Sequence, residues 1–194
     1  MQLDEREAIA RLRQGDIGGL ETLVRLYHGR AVRSAYLVTR DLDTAQDVAQ
    51  AAFLKTYEHI GQFDAQRPFG PWFLKGVLRD AVKAATKRAR HVQLDPRPDG
   101  NGPSSMPEVI DPDAGPAALW AQREVADAVM AALGALAPAE RAAIVQRYYL
   151  GLSEAEMARA ADCPPGTVKS RLHTARGRLR VLLQPLQQDS EVRS

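Results

Sequence analysis

Residues 91–117 most constrain the fold, because their composition disfavours a packed element in the middle of this 194-residue chain. The segment holds six of the twelve prolines, three glycines and no helical apolar period. It carries one basic residue against five acidic ones, which favours an extended, soluble segment. The sequence therefore predicts a flexible Pro/Gly-rich acidic linker at 91–117, with domains at 1–90 and 118–186 and a tail at 187–194.

On both sides of this linker the apolar residues recur with helical spacing, and no alternating run of Val, Ile or Thr indicates a strand. We therefore expect an all-α protein of two small helical domains. No apolar run approaches the roughly 18 residues of a membrane span, and the charged start MQLDEREAIARLRQG does not resemble a secretory signal. These features predict a cytoplasmic protein without membrane insertion. The single cysteine and four scattered histidines give no metal-binding spacing, so neither a metal nor a cofactor is expected.

The formal net charge of +2 conceals two basic blocks. Residues 60–90 carry seven Lys or Arg against two acids, and residues 164–194 carry six against two. Two cationic surfaces favour a polyanion such as nucleic acid as the partner, although each block could equally be a solvated helix face.

The clearest helix of the first domain is expected at about 43–59, with Asp43 as N-cap and Gln46 three residues later. Its apolar face should be buried and consists of Ala45, Val48, Ala49, Ala52, Phe53, Thr56, Tyr57 and Ile60. Asp47, Gln50 and Leu54 fall on another face. That strip is a candidate protein-docking surface, or else an ordinary surface with one exposed leucine.

A loop at 61–68 leads into a second helix, expected at 69–90, that begins aromatic and ends basic. Five of the eleven aromatic residues lie between positions 57 and 73, and positions 79–90 then carry five Lys or Arg against one acid. Aromatic rings beside a cationic track suit single-stranded nucleic acid, because bases stack on the rings while phosphates pair with the cations. The aromatic side chains could instead fill the core of a small domain.

The second domain contains a complete helix start. Ser153 is the predicted N-cap, Glu156 completes a capping box, and Leu152 can pack on Met157 as a hydrophobic staple. This pattern predicts a short helix that ends at about Ala161.

After a break at Asp162 and Cys163, two prolines start another helix at about residue 164. Its predicted core stripe is Val168, Leu172, Ala175, Leu179 and Leu182. From 164 to 180 there are five Lys or Arg and no acid, which is typical of a helix-turn-helix whose second helix enters the major groove. Residues 166–171 should then approach base edges and the later arginines the phosphates. The alternative is an ordinary helical hairpin.

These motifs resemble a known family. The stretch LAPAERAAIVQRYYLGLSEAEMARAADCPPGTVKSRLHTARGRLRVLL at 136–183 resembles region 4 of bacterial sigma factors, above all in GTVKSRLHTAR at 166–176. Residues 20–90 resemble region 2, with DVAQAAF at 47–53 and PWFLKGVLR at 71–79. With only these two regions, the chain is similar to the extracytoplasmic-function (ECF) sigma factors of the sigma-70 family. The resemblance implies a non-catalytic factor that directs RNA polymerase to promoters.

The resemblance also implies three sets of binding residues. Those that would dock on the largest-subunit coiled coil of core RNA polymerase are Asp47, Gln50, Phe53 and Leu54. Those that would bind the melted single strand of the −10 promoter element are Gln62, Phe63, Asp64, Arg67, Phe69, Trp72, Arg79, Lys83 and Lys87. Those that would read the −35 element in the major groove are Thr167, Lys169, Ser170, Arg171, His173, Thr174 and Arg176.

Further partners implied by the resemblance are the flap of the second-largest polymerase subunit and an anti-sigma factor, with no small-molecule substrate. A conventional regulator with a LuxR-type helix-turn-helix stays open as an alternative, although the match to region 2 counts against it. An enzyme is disfavoured, because no Walker A, G-x-G-x-x-G, H-E-x-x-H or G-x-S-x-G motif occurs. Cys163, in the break of the helix-turn-helix, is more typical of an inert small side chain than of a redox switch.

Overall fold

The computed structural model describes residues 2–94 and 116–192, with side chains placed at 4–90 and 123–185. Every regular element in those ranges is a helix, which confirms the all-α class. The chain forms two compact units, residues 1–102 and 103–194. Residues 95–115 of the predicted linker, and 193–194 of the predicted tail, lie outside the described residues.

The first unit is a four-helix arrangement around an aromatic and aliphatic core. Its elements are α1 (Gln2–Arg13), α2 (Gly18–Thr39), α3 (Leu42–His59), a 3-10 turn (Ile60–Gln62) and α4 (Phe69–Leu94). α2 packs against α1, α3 and α4, and α3 also packs against α4. The core contains Leu23, Tyr27, Val38, Phe53, Phe63, Phe69, Phe73, Leu74, Val77 and Leu78.

The start of α3 corrects the predicted cap. Asp41, not Asp43, is the N-cap, because its backbone is extended and its Oδ1 accepts a hydrogen bond from the Thr44 N–H at 2.8 Å. Asp43 lies exposed in the first turn. The predicted apolar face of α3 is buried except at Tyr57, whose side chain is 43% exposed. Tyr57 therefore lies beyond the edge of the sector that α2 and α4 cover.

The second unit is built around its last helix. Its elements are α5 (Pro116–Gly134), α6 (Pro138–Ile144), a π-helical turn (Val145–Tyr149), α7 (Glu154–Ala161) and α8 (Pro165–Val192). α8 packs against α5, α6 and α7. The π-helical turn closes with a hydrogen bond from the Leu150 N–H to the Val145 carbonyl at 3.0 Å, five residues back. Nothing in the sequence analysis predicted it.

The predicted helix-turn-helix is confirmed at its start and its turn. The Glu156 carboxylate accepts from the Ser153 N–H at 2.8 Å, and the Ser153 hydroxyl accepts from the Glu156 N–H at 3.3 Å. α7 ends at Ala161 as predicted. Asp162 then adopts a left-handed backbone with φ 48°, which lets the N–H groups of Asp162 and Cys163 both bond to the Ala158 carbonyl.

The core stripe of α8 is shorter than predicted. Val168, Leu172 and Ala175 are buried and Leu179 is half-buried, but Leu182 is 45% exposed. A periodic apolar stripe is buried only as far as neighbouring helices cover it, so the prediction is right at the start of α8 and wrong at Leu182.

Candidate nucleic-acid and polymerase interfaces

α3 presents one exposed strip of mixed polarity. Asp47, Gln50 and Leu54 are exposed, and their spacing of three and four residues places them on one face of the helix. Tyr57 extends this face by three more residues, and the sequence analysis missed it by assigning it to the core. We call these four residues the α3 strip. An exposed leucine and tyrosine between polar residues suit a protein partner.

Phe53 does not belong to the α3 strip. Its side chain is 5% exposed, and its ring centroid lies 4.6 Å from that of Phe73 in α4. This burial corrects the expectation that Phe53 itself contacts polymerase, because the ring packs against α4 instead.

Phe63 and Phe69, which were expected to touch single-stranded DNA, are also core residues. Their side chains are 2% and 0% exposed, and their ring centroids lie 5.5 Å apart in an edge-to-face contact. Trp72 packs on both, at 5.0 and 5.6 Å between centroids, yet it is only half-buried. The burial corrects the predicted role of both phenylalanines and leaves Trp72 as the ring of this trio that a base can reach.

The connection from the 3-10 turn to α4, residues 63–68, is the α3–α4 loop. Asp64 organises it: its carbonyl accepts from the Arg67 N–H and its Oδ1 from the Gln66 N–H, each at 3.0 Å. The Asp64 carboxylate also pairs with the Arg67 guanidinium at 3.3 Å, and both side chains are more than half exposed. The loop therefore presents a formed turn with two accessible charged side chains.

A cavity of about 470 Å³ opens between α3 and α4. It brings together three predicted residues, Gln62, Trp72 and Arg79. It is also lined by three residues that the sequence analysis missed, Lys55, His59 and Lys75. Lys55 and His59 are one turn apart on α3, as Lys75 and Arg79 are on α4, so helical spacing was the signal that could have found them. The lining also includes two acids, Glu58 and Asp80, but the accessible indole beside Lys55, Lys75 and Arg79 suits a nucleobase and its phosphates.

Asp80 fixes two of these cations across the cavity. Its Oδ2 accepts from the Lys55 Nζ at 2.6 Å, and its Oδ1 lies 3.6 Å from the Arg79 Nε. The Asp80 side chain is only 13% exposed. Lys55 of α3 and Arg79 of α4 are thus held in place beside the cavity.

α4 continues from the cavity as a row of positive charge. Arg79, Lys83 and Lys87 are exposed at intervals of four residues, and we call them the cationic stripe. Arg88 is oriented differently, because its Nη1 pairs with the Asp41 Oδ2 at 2.6 Å. Partial burial alone would raise the pKa of Asp41, but hydrogen bonds from Thr44 and Arg88 lower that pKa to about 2. Arg88 therefore braces α4 against the start of α3.

The seven residues predicted to read the −35 element lie on the first three turns of α8. Thr167 and Arg171 are half-buried, whereas the exposed members are Lys169, Ser170, His173, Thr174 and Arg176. The buried stripe of α8 holds the helix to the unit, so these donors form one outward surface. Hydroxyl and guanidinium groups without an acid among them suit base edges and phosphates.

Arg178 corrects the expectation that the later arginines of α8 all face phosphates. Its Nη1 donates to the Glu140 Oε2 at 2.8 Å, and Glu140 is largely buried. The same Glu140 oxygen accepts from the Ala137 N–H at 3.1 Å at the start of α6. Arg178 thus links α8 to α6.

The described residues lack two further kinds of feature, a metal site and a membrane span. No three His, Cys, Asp or Glu side chains at 4–90 and 123–185 come together as a metal site. None of the helices that the structure describes is both long and apolar enough to cross a membrane.

Comparisons with known proteins agree on one family. The family models of Sigma-70 region 2 and Sigma-70 region 4 match residues 23–91 and 126–179. The ECF RNA polymerase sigma factor SigL of Mycobacterium tuberculosis is 36% identical over 157 residues, which is 79% of this chain and 82% of SigL. The RNA polymerase sigma-H factor of Pseudomonas aeruginosa is 28% identical over 191 residues, 95% of this chain and 96% of that protein.

A solved structure has the same fold. The sigma factor RpoE of Bartonella quintana, crystallised with the anti-sigma factor NepR, superposes with a TM-score of 0.63 at 22% identity. The match covers 84% of this chain and 96% of RpoE.

Proposed function

Since the chain belongs to the ECF sigma factors of the sigma-70 family, we propose which of its surfaces performs each step of promoter recognition. Members of the family are non-catalytic factors that bind RNA polymerase and promoter DNA to initiate transcription. One observation carries the assignment: each unit has an exposed cationic helix face, on α4 in the first and on α8 in the second.

The second unit reads the upstream, −35 element. The exposed face of α8, from Thr167 to Arg176, enters the major groove with its first turn toward base edges and Arg176 toward phosphates. Arg178 keeps α8 in place through Glu140. We assign residues 118–186 to this domain.

The first unit, residues 1–90, captures the melted −10 element. An unstacked base enters the cavity between α3 and α4 and packs on Trp72, while the cationic stripe follows the phosphates of the single strand. Phe63 and Phe69 support Trp72 from beneath. Because these contacts exist only with the opened strand, binding shifts the promoter toward the melted state.

Polymerase docks on both units. The α3 strip contacts the coiled coil of the largest subunit, where Leu54 and Tyr57 supply apolar area. The flap of the second-largest subunit takes exposed apolar side chains of the second unit, of which Tyr148 is 63% exposed.

Control comes from an anti-sigma factor, as the complex of the Bartonella relative suggests. Such a partner would mask the cationic faces until a signal releases it. The protein acts in the cytoplasm, where polymerase and promoter DNA are found.

The test is in vitro transcription with sigma-free bacterial core polymerase on a pool of random promoter DNA, with start sites mapped by sequencing. We expect discrete starts that share two spaced upstream elements. Substitution of both Arg171 and Arg176 by Ala should reduce these starts by at least about tenfold, because each lost base or phosphate contact costs about 1–3 kcal/mol. Arg6→Ala with Arg25→Ala removes the same two charges from exposed positions of the first unit and should spare promoter choice.

Two outcomes would contradict the proposal. Absence of protein-dependent starts with folded, inhibitor-free protein would exclude a sigma activity. Tight binding of a palindromic duplex without polymerase would instead favour a conventional regulator.

A further inference from the structure

Helix α1 contacts both ends of the α3–α4 loop, directly at Phe63 and through Tyr27 at the first turn of α4. This helix precedes the residues matched by the region 2 family model, which begin at 23. α1 packs against α2 and against the 3-10 turn that leads into the loop. No residue of α1 carries a role in the function proposed above.

Arg13, at the end of α1, holds the first residue of the loop. Its guanidinium donates a hydrogen bond to the backbone carbonyl of Phe63, fifty residues along the chain. The Phe63 ring packs on Trp72 at 5.0 Å between centroids. The hydrogen bond therefore fixes the point at which the loop leaves the core, directly behind the ring that we assign to base stacking.

Glu5, near the start of α1, holds the other end of the loop through Tyr27 of α2. The Tyr27 hydroxyl donates to the Glu5 carboxylate, and the Tyr27 side chain lies against Gly70 in the first turn of α4. Burial, together with the bond to Glu5, raises the pKa of Tyr27, so the hydroxyl keeps the proton that it donates. The Tyr27 ring also packs on Phe69 at 5.3 Å between centroids.

Gly70 leaves room for the close approach of Tyr27 to α4. A Cβ at Gly70 would lie 3.0 Å from the Tyr27 ring and 3.1 Å from its hydroxyl oxygen. The Tyr27 side chain therefore packs against the backbone of α4 at the end of the loop, in addition to its hydrogen bond to Glu5.

We propose that α1 is a clamp that holds the α3–α4 loop, and with it Trp72, in the shape that binds the unstacked base, with Arg13 and the Glu5–Tyr27 pair as its two positioning contacts. This inference rests on the proposed function of the first unit. A loop held at both ends loses less conformational entropy when a base binds, so the clamp raises affinity for the unstacked base without touching it.

The test uses holoenzyme reconstituted from the full chain and core polymerase. The probes are a fluorescein-labelled single strand carrying the −10 element mapped by transcription, and the same strand with an abasic site moved through that element. The captured base is identified as the one whose removal lowers the affinity of the wild-type holoenzyme most. We expect Arg13→Ala to weaken binding of the intact strand by roughly tenfold, the scale of one charge-assisted hydrogen bond. Its affinity for the strand that lacks the captured base should match wild type.

Matched variants separate positioning from stability. Arg11→Ala removes the same charge two residues earlier, from a side chain that pairs with Asp16 at 2.7 Å, and should bind both strands like wild type. Arg13→Lys keeps a hydrogen-bond donor, so it should recover part of the difference in affinity between the intact strand and the strand that lacks the captured base. Tyr27→Phe keeps the ring and loses the hydroxyl, so it should reproduce the Arg13→Ala pattern.

Three results would overturn the clamp. In the first, Arg13→Ala shows the same difference in affinity between the intact and the abasic strand as the wild type. In the second, it weakens both strands equally and lowers the thermal unfolding midpoint, as a merely structural role would. In the third, Arg11→Ala behaves identically. If the wild type shows no position-dependent loss with abasic sites, base capture itself fails, which is a separate outcome.

Discussion

Asp41 combines two tasks in one carboxylate. It caps α3 through the Thr44 N–H and pairs with Arg88 of α4 at 2.6 Å, with its side chain 12% exposed. The first task needs only an acceptor oxygen, which Asn also provides. The second needs the negative charge, so the two tasks can be separated by substitution.

We expect Asp41→Asn to cost about 2 kcal/mol of unfolding free energy at pH 7, because a carboxylate pKa near 2 in the folded state lies about two units below its ordinary value. A lowered folded pKa stabilises the fold above pH 4, and this contribution disappears as the pH falls toward 2. The difference between wild type and Asp41→Asn in urea unfolding should therefore shrink from pH 5 to pH 2. Asp43→Asn, in the same turn but exposed, is the control. A difference independent of pH would show that Arg88 contributes nothing through charge.

Single residues also show where sequence reasoning reaches its limit. An aromatic side chain suits a hydrophobic core and a stacking platform equally well, so the sequence could not distinguish buried Phe63 and Phe69 from accessible Trp72. Burial depends on which helix covers the ring. That information is absent from the local pattern.

At the scale of elements, α1 and α2 meet at a glycine. A Cβ on Gly19 would lie 2.3 Å from the Ala8 carbonyl oxygen and 2.8 Å from the Leu12 nitrogen, both backbone atoms of α1. The two helices therefore approach so closely that no larger residue fits between them.

Gly19→Ala should lower the free energy of unfolding by about 1–3 kcal/mol, the usual cost of overpacking a close contact. Gly29→Ala, in the same helix with nothing within 4 Å of the new Cβ, should raise it by up to about 1 kcal/mol, because alanine favours a helix. Urea unfolding of both variants checks the pair. Equal stabilisation by both would mean that α1 does not pack on α2 as described.

Local chemistry decides which elements can be predicted. Ser153, Glu156 and the two prolines after Cys163 set both ends of α7 and the start of α8 through short-range capping and fixed φ angles, and these three positions were predicted to within a residue. The spacing to Gln46 predicted Asp43 as the cap of α3, whereas the extended backbone of Asp41 and its bond from the Thr44 N–H make Asp41 the cap. The π-helical turn has no comparable local signal.

At the scale of the whole molecule, a net charge of +2 is less informative than its distribution. The cationic stripe and the exposed face of α8 each gather positive charge on one helix, while acids elsewhere offset it. Binding to a polyanion should therefore depend on salt through the few cations that contact it.

Replacement of Lys83 and Lys87 by Ala should reduce the slope of log affinity against log salt by about 1.4 for holoenzyme on the single-stranded −10 probe, because each lost phosphate contact releases about 0.7 of a counterion fewer. Arg6→Ala with Arg25→Ala removes the same charge from exposed positions of α1 and α2 and should leave the slope unchanged. Affinities measured from about 50 to 300 mM salt provide the comparison. Equal slope changes for both pairs would indicate a general charge effect and not a DNA track on α4.

The π-helical turn after α6 has a consequence for how sequences of this kind are aligned. A π-helical turn contains one residue more than the α-helical turn that it replaces. Each helical residue rotates the chain by about 100°. Val145 and Gln146 face the core, whereas Arg147, Tyr148 and Tyr149 face outward. A one-residue gap placed here would leave the start of α7 at Ser153 intact and would exchange the side chains on that outward face. Two chains that differ by one residue in this turn would therefore keep the same helix-turn-helix but present different side chains to a partner.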